Sequence, residues 1–258
     1  QGFRQGLQDF GYVEGKNIVV EYRWAEGRYE RLPELAGELV RSKVDIIVTH
    51  GTPGTRAAKQ ATQTIPIVMA IVGDATATGL VASIAKPGGN ITGSSFFNPE
   101  LAAKRIELVK ESVPALTQVA VLVNPDNPVF GPTLKLMETT AKALKVELLQ
   151  FPVRAPKDFE EAFAAMDAKK IRAVAIHEDG LFNANIDTLV TLATRHRIFS
   201  AGARELADAG GVLGYGVNFP EIWRRGAYFI DRIFKGAKPA DLPVEQPTRF
   251  ELAINVKA

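Results

Sequence analysis

The 258 residues suffice for one large domain or two of ordinary size, and a composition 46% hydrophobic and 23% charged excludes an intrinsically disordered chain. The net charge is only +2, from 31 basic and 29 acidic residues spread along the chain. No basic run interleaves with aromatics, so nothing points to nucleic acid. With no cysteine, disulfides, thiol nucleophiles and cysteine-ligated metals are excluded, and no apolar run is long enough to cross a bilayer.

The chain opens inside a helix-like segment, Phe3 to Leu7, with no strand in front of it. A doubly wound lobe normally begins with a central strand, so residues upstream of Gln1 are expected to be missing. No signal peptide is present, and Gln1 is read as following a removed leader or as a simple starting point. Leu32, Leu35, Ala36, Leu39 and Val40 then make a helical apolar stripe, followed by strands predicted at Val44–Val48 and Ile67–Val72. After the Lys86-Pro87-Gly88-Gly89 turn, Asn90 to Phe97 closes a first series. Ala102, Ile106, Val109 and Val113 mark a linking helix that Pro114 ends.

The second series starts with strands at Val119–Val123 and Val146–Phe151, a helix carrying Phe159, Ala162, Phe163 and Met166, and a strand at Ala173–Ile176. A helix with Ile186, Leu189, Val190 and Ala193 follows. The last stripe, Ile222, Gly226, Phe229, Ile230, Ile233 and Phe234, stops at Lys235-Gly236. Near-continuous apolar strands alternating with amphipathic helices are the pattern of βαβ units whose strands are buried on both faces. The predicted fold is α/β, with two doubly wound parallel-sheet lobes of similar size.

Ligands of open parallel sheets sit beyond the carboxyl ends of the strands. In the first lobe those positions hold Thr49, His50, Gly51, Thr52 and Pro53, then Gly73 and Asp74, then Ser94 to Asn98. In the second they hold Asn124 to Asn127 and His177, Glu178 and Asp179, with Ser200, Arg204 and a predicted Gly214-Tyr215-Gly216 turn further on. If the lobes face one another, these loops line a shared cleft. The ligand-binding candidates are His50, Gly51, Thr52, Asp74, Ser95, Phe96, Asn124, Asp126, Asn127, His177, Glu178, Asp179 and Tyr215. Their hydroxyls, carboxylates and aromatic faces suit a small polar or zwitterionic molecule, including one with a ring. Each has a purely structural alternative. Thr52 reads first as a helix cap, and Asp126 and Asn127 as turn formers. His50 and His177 fall at equivalent strand ends, one of Phe96 and Phe97 must face the core, and His196 reads as a solvated helix cap. There is no GxSxG elbow, HExxH pair, GxxxxGK[ST] loop or GxGxxG fingerprint, so no catalytic residue, metal ligand or cofactor is assigned.

Several stretches together resemble one family. They are Phe3-Arg4-Gln5-Gly6-Leu7; Gly11-Tyr12-Val13-Glu14-Gly15-Lys16-Asn17-Ile18; Glu21-Tyr22-Arg23-Trp24-Ala25; and Ile65-Pro66-Ile67-Val68. With them go Ala85 through Gly93, Asn124-Pro125-Asp126-Asn127-Pro128 and Lys238 through Pro247. The chain is similar along its length to ABC transporter substrate-binding proteins of the tryptophan type. The resemblance implies a type I periplasmic-binding-protein fold, two lobes joined by three crossovers and closing on ligand. It implies a first lobe of 1–98 and 219–240 and a second of 99–218 and 241–258. By the same analogy the helix from Pro220 to Gly236 returns to the first lobe, and a strand from Arg249 to Val256 lies against the second. The family pattern also begins with a strand and a ligand-contacting Ser/Gly-rich loop and continues beyond residue 258. His50 departs from the small residue that relatives carry at its position.

The implied function is extracytoplasmic capture of a small polar or aromatic molecule, an amino acid among the options. The implied partner is a membrane permease, the state monomeric and the location periplasmic. Two alternatives stay open: the ligand-sensing domain of a transcriptional regulator, and a two-lobed α/β enzyme.

Overall fold

The apolar runs become strands where a neighbouring strand is available to pair. The computed structural model describes residues 2–96, 98–127 and 130–257. In chain order it contains α1 (Gly2–Asp9), α2 (Leu32–Arg41), β1 (Ile47–His50), α3 (Gly51–Ala61), β2 (Ile67–Val72), β3 (Ile91–Ser95) and α4 (Asn98–Ser112). There follow β4 (Gln118–Val123), α5 (Phe130–Ala143), β5 (Glu147–Pro152), α6 (Phe159–Ala168), β6 (Ala173–Ala175), α7 (Gly180–Ala184) and α8 (Ile186–Arg195). The chain finishes with β7 (Phe199–Gly202), α9 (Arg204–Asp208), β8 (Leu213–Gly216), α10 (Phe219–Phe234) and β9 (Glu251–Ile254). These elements form two compact units, 1–96 with 218–248 and 97–217 with 249–258, so the chain passes from one to the other three times.

In the first unit β1, β2 and β3 form a parallel sheet with β2 central. Every residue of β2 is buried, its side chains serve both faces, and its register with β3 shifts between Met69 and Val72. Ile67, Met69 and Val72 pack with Ile47, Ala58, Ile91 and Val244 on one face. Val68 packs with Leu7, Ala227, Phe229 and Ile230 on the other, so α10 covers this sheet with α1 alongside it. The sheet is therefore enclosed by helices on both sides, as a doubly wound unit requires.

The second unit holds a six-stranded sheet in the order β5-β4-β6-β7-β8-β9, parallel except for β9, which runs antiparallel on the edge. Ala120, Leu122, Val174 and Ile176 face a cluster built by α6 and α8 through Phe159, Phe163 and Leu189. Val119, Val121, Ala173 and Ala175 face α4 and α5 through Ile106, Val109, Phe130 and Met137. The chain leaves β4 toward β5 on one side and returns to β6 on the other. The β4/β6 junction is thus a topological switch point.

Four details differ from the sequence expectation. The strand predicted at 44–48 is paired only from Ile47, because β2 begins at Ile67, the partner of Ile47. Val44 and Ile46 are apolar because they pack, not because they pair. The strand predicted at 146–151 is an edge strand with Glu147 and Pro152 exposed, so it is not buried on both faces. Gly214-Tyr215-Gly216, expected as a turn, lies within β8. A side chain at 214 would come within 2.7 Å of the Arg204 carbonyl oxygen, so the glycine lets the backbones approach. Finally, residues 241–248 were expected in the second lobe but pack with the first. The Val244 N–H donates to the Ile84 carbonyl at 2.8 Å and the Glu245 N–H to the Gly93 carbonyl at 2.9 Å. Backbone partners, invisible to apolar patterning, decide that placement.

Candidate functional site

In the first unit the candidates divide by whether their polar atoms are already used. Asp74 accepts from the Thr76 and Ala77 N–H groups at 3.0 and 2.8 Å, and the buried Ser95 hydroxyl accepts from the Ala75 N–H at 3.1 Å. Both side chains therefore shape the loop after β2. Phe96 is core, edge-on to Phe219 with ring centroids 6.0 Å apart. Phe97 lies outside the described residues. The predicted cap Thr52 instead sits inside the first turn of α3, which Gly51 opens with His50 as its N-cap residue. Thr52 is buried, and its hydroxyl takes no partner among the described residues. The free N–H groups at this helix start favour an anionic group.

His50 stands at the same strand end and stacks on Trp223 of α10, centroids 5.4 Å apart and planes 7° from parallel. It remains solvent-accessible, yet the surrounding protein holds its pKa below the ordinary 6.5 by desolvation. Trp223, absent from the sequence candidates, reads in sequence as one more apolar residue of a helical stripe. Trp223→Leu is expected to leave the unit folded and to move the His50 titration back toward 6.5, followed by NMR of the imidazole ring.

The second unit concentrates its polar groups at the switch point. Asn124, directly after β4, donates its side-chain amide to both Asp179 oxygens at 3.2 and 3.3 Å, and the Asn127 amide donates to one of them at 2.9 Å. Asp179 also caps α7 by accepting from the Leu181 N–H at 2.8 Å. All three are at least nine-tenths buried. Asn124 and Asn127 form the turn expected of this segment as well: the Asp126 N–H donates to Asn124 Oδ1 and the Asn127 N–H to the Asn124 carbonyl, both at 3.1 Å. Asp126 is not part of the cluster. Its exposed carboxylate pairs with Arg154.

His177 is 3% exposed, stacked on Phe130 at 3.8 Å and edge-on to Phe182 at 5.3 Å. Among the described residues neither ring nitrogen has a hydrogen-bond partner within bonding geometry. Burial pushes its pKa down to about 4. The neighbouring Asp179 and Glu178 carboxylates, with the backbone of Leu122, oppose that shift only in part. The ring is therefore neutral at pH 7.

Glu178 is already engaged within the unit. Its oxygens receive two hydrogen bonds from Arg105 of α4, at 2.8 and 2.5 Å, in a buried ion pair. Tyr215 contributes its carbonyl oxygen to the same guanidinium at 2.7 Å, while its half-buried ring packs toward the cluster under α4 and α5. Ser200 and Arg204 are structural, the first accepting from the Val212 N–H and the second paired with Glu251 of β9. His196 ends α8 beside Asp167. Arg105 escaped the sequence reading, although a signal was present. It falls on the buried stripe of α4 beside Ala102, Ile106 and Val109, and a charge on such a stripe demands a buried partner.

The structure thus brings together Asn124, Asn127, His177 and Asp179 in one unit, and His50, Gly51 and Thr52 in the other. Asp74, Ser95, Phe96, Asp126, Glu178 and the Tyr215 ring have their own structural duties.

A family model described as ABC transporter substrate binding protein matches residues 1–258. A tyrosine-binding protein of Clostridioides difficile (strain R20291) is 26% identical over 256 residues, covering 99% of this chain and 73% of that protein. Among solved structures, a conserved domain protein from Vibrio cholerae O1 biovar eltor superposes with a TM-score of 0.91 at 27% identity, covering 100% of this chain and 86% of the other. An ABC domain from Streptococcus pneumonia in complex with L-Trp gives 0.89 at 24% identity, covering 99% and 86%, and speaks for the fold alone. With two α/β units, a polar cluster at a sheet switch point and a family match along its whole length, this chain belongs to the ABC transporter substrate-binding protein family.

Proposed function

We propose that the chain captures an aromatic amino acid outside the cytoplasm, in the periplasm, and hands it unchanged to the membrane permease of an importer. The observation that carries this reading is the buried Asn124–Asn127–Asp179 cluster at the β4/β6 switch point. A carboxylate held by two amides and a helix N–H is fixed in orientation, a fit partner for an ammonium group. In the other unit the start of α3 with Thr52 suits a carboxylate, and the free face of the His50 ring suits an aromatic side chain. A relative named for tyrosine binding supports the same ligand class.

The deciding experiment is a thermal-shift and calorimetric panel of L-tyrosine, L-tryptophan, L-leucine and benzoate. An aromatic amino acid at one hundred times its Kd is expected to stabilise the protein by about 2.7 kcal/mol, with benzoate weaker for want of an ammonium. Asp179→Asn should weaken that binding about tenfold or more, the value of a charged hydrogen bond. Stabilisation by benzoate equal to that by L-tyrosine would refute the ammonium role of Asp179, and a compound consumed during the assay would refute the carrier.

A further inference from the structure

We infer that Arg105 is a positioning residue of the ligand site: its guanidinium withdraws Glu178 from the site and ties the 177–179 loop to β8. The inference rests on the reading of that loop as ligand-contacting.

Three consecutive residues, His177, Glu178 and Asp179, follow β6, and all carry groups able to meet a solute. Asp179 has extended backbone, φ −145° and ψ 144°, and along an extended chain neighbouring side chains point to opposite sides. The structure sorts them accordingly. His177 packs between Phe130 and Phe182, Asp179 meets Asn124 and Asn127, and Glu178 turns to α4. Arg105 meets it there as a planar fork. Two donors hold the carboxylate, and Nε donates to the Tyr215 carbonyl. Arg105 is 1% exposed and the Glu178 side chain 7%, so solvent does not weaken the pair as it would at the surface.

Two consequences follow for the site. The loop offers a ligand one carboxylate, that of Asp179, because the charge of Glu178 is compensated. The loop is also fastened at its centre to two elements at once, so His177 and Asp179 keep their positions without ligand. A purely packing role would need neither the fork geometry nor the charge. The groups that set the charge of His177 are Arg105 on α4 and Glu178 and Asp179 on its own loop. Phe130 of α5, Phe182 of α7 and the Leu122 backbone of β4 contribute no net charge.

The test compares wild type, Arg105→Lys and Arg105→Met by ring NMR of the three histidines, His50, His177 and His196, and by calorimetry with L-tyrosine and L-tryptophan as probes. Arg105→Met leaves the Glu178 charge uncompensated beside His177, so the His177 titration should rise by about one unit or more. The backbone resonances of 177–179 should move with it. Arg105→Lys keeps the charge and should hold the His177 titration near its wild-type position while loosening the loop. Should Arg105→Met fail to fold, Arg105→Met with Glu178→Gln removes both charges together. In that folded double variant the 177–179 resonances should shift and binding of the probe that wild type prefers should fall about tenfold.

An unshifted His177 titration with unmoved 177–179 resonances in Arg105→Met, or wild-type resonances and affinity in the double variant, would overturn the inference. If wild type binds neither amino acid, the ligand class proposed above fails. The NMR comparison still decides what Arg105 does.

Discussion

Gly93→Ala should leave the first unit unable to fold, observed as loss of the cooperative thermal transition of that unit while the second keeps its own. Gly93 sits in β3 with φ +131°, a backbone conformation that L side chains rarely adopt. A Cβ there would lie well inside contact distance of the Met69 carbonyl oxygen and 2.7 Å from the Met69 nitrogen. Met69 belongs to β2, whose residues are all buried, and its register partner is Gly93 itself. The collision is therefore backbone against backbone at the centre of the sheet, with no side chain able to swing aside. The Gly93 carbonyl also accepts from Glu245, so shifting the strand would break the contact that holds 241–248 to this unit. Substitutions combining strain with a core clash exceed about 4 kcal/mol, a large share of the stability of an ordinary domain. A Gly93→Ala protein with an unchanged melting profile would mean that β2 and β3 are not paired as described.

Lowering the pH from 6.5 to about 4 should destabilise the second unit through His177. Its pKa in the folded protein is about 4 against an ordinary 6.5, so across this window the unfolded chain binds a proton that the folded chain does not. Stability therefore falls with pH. The contribution of His177 is fully present above 6.5 and fully lost below about 4. A shift of this size corresponds to roughly 3 kcal/mol. Physically, an imidazolium buried between Phe130 and Phe182 has no hydrogen-bond acceptor within bonding geometry among the described residues. His177→Leu removes the titrating group, and urea melts taken at several pH values should show the total fall in stability from pH 6.5 to 4 reduced by about this amount. An unchanged fall would place the acid sensitivity in the carboxylates instead.

The chemistry of individual positions was legible before any coordinates, and their employment was not. Asn124, Asn127 and Asp179 could be named as ligand candidates because strand ends are recognisable from apolar runs that stop at polar residues. Glu178 and Asp126 satisfied the same rule and turned out to serve Arg105 and Arg154. Nothing local distinguishes them, since the partner of Glu178 lies 73 residues away on α4. Trp223 illustrates the converse. Its helix was plain from the 3.6-residue period, but its stacking on His50 depends on α10 crossing back to the first unit.

The return of the 220–236 helix came only as an implication of the family resemblance, while the sequence by itself determined the α/β class and the alternation of strands and helices. These properties depend on side-chain periodicity and turn residues, which act over a few neighbours. The tertiary structure alone decided that Gly214 to Gly216 pairs as a strand, that 241–248 belongs with the first unit, and that β4 and β6 form the switch point. It also decided that a buried arginine claims the middle residue of the loop after β6. Each is a choice of distant partner, made by hydrogen bonds and charges that must be satisfied once water is excluded, and no local pattern encodes which partner that will be.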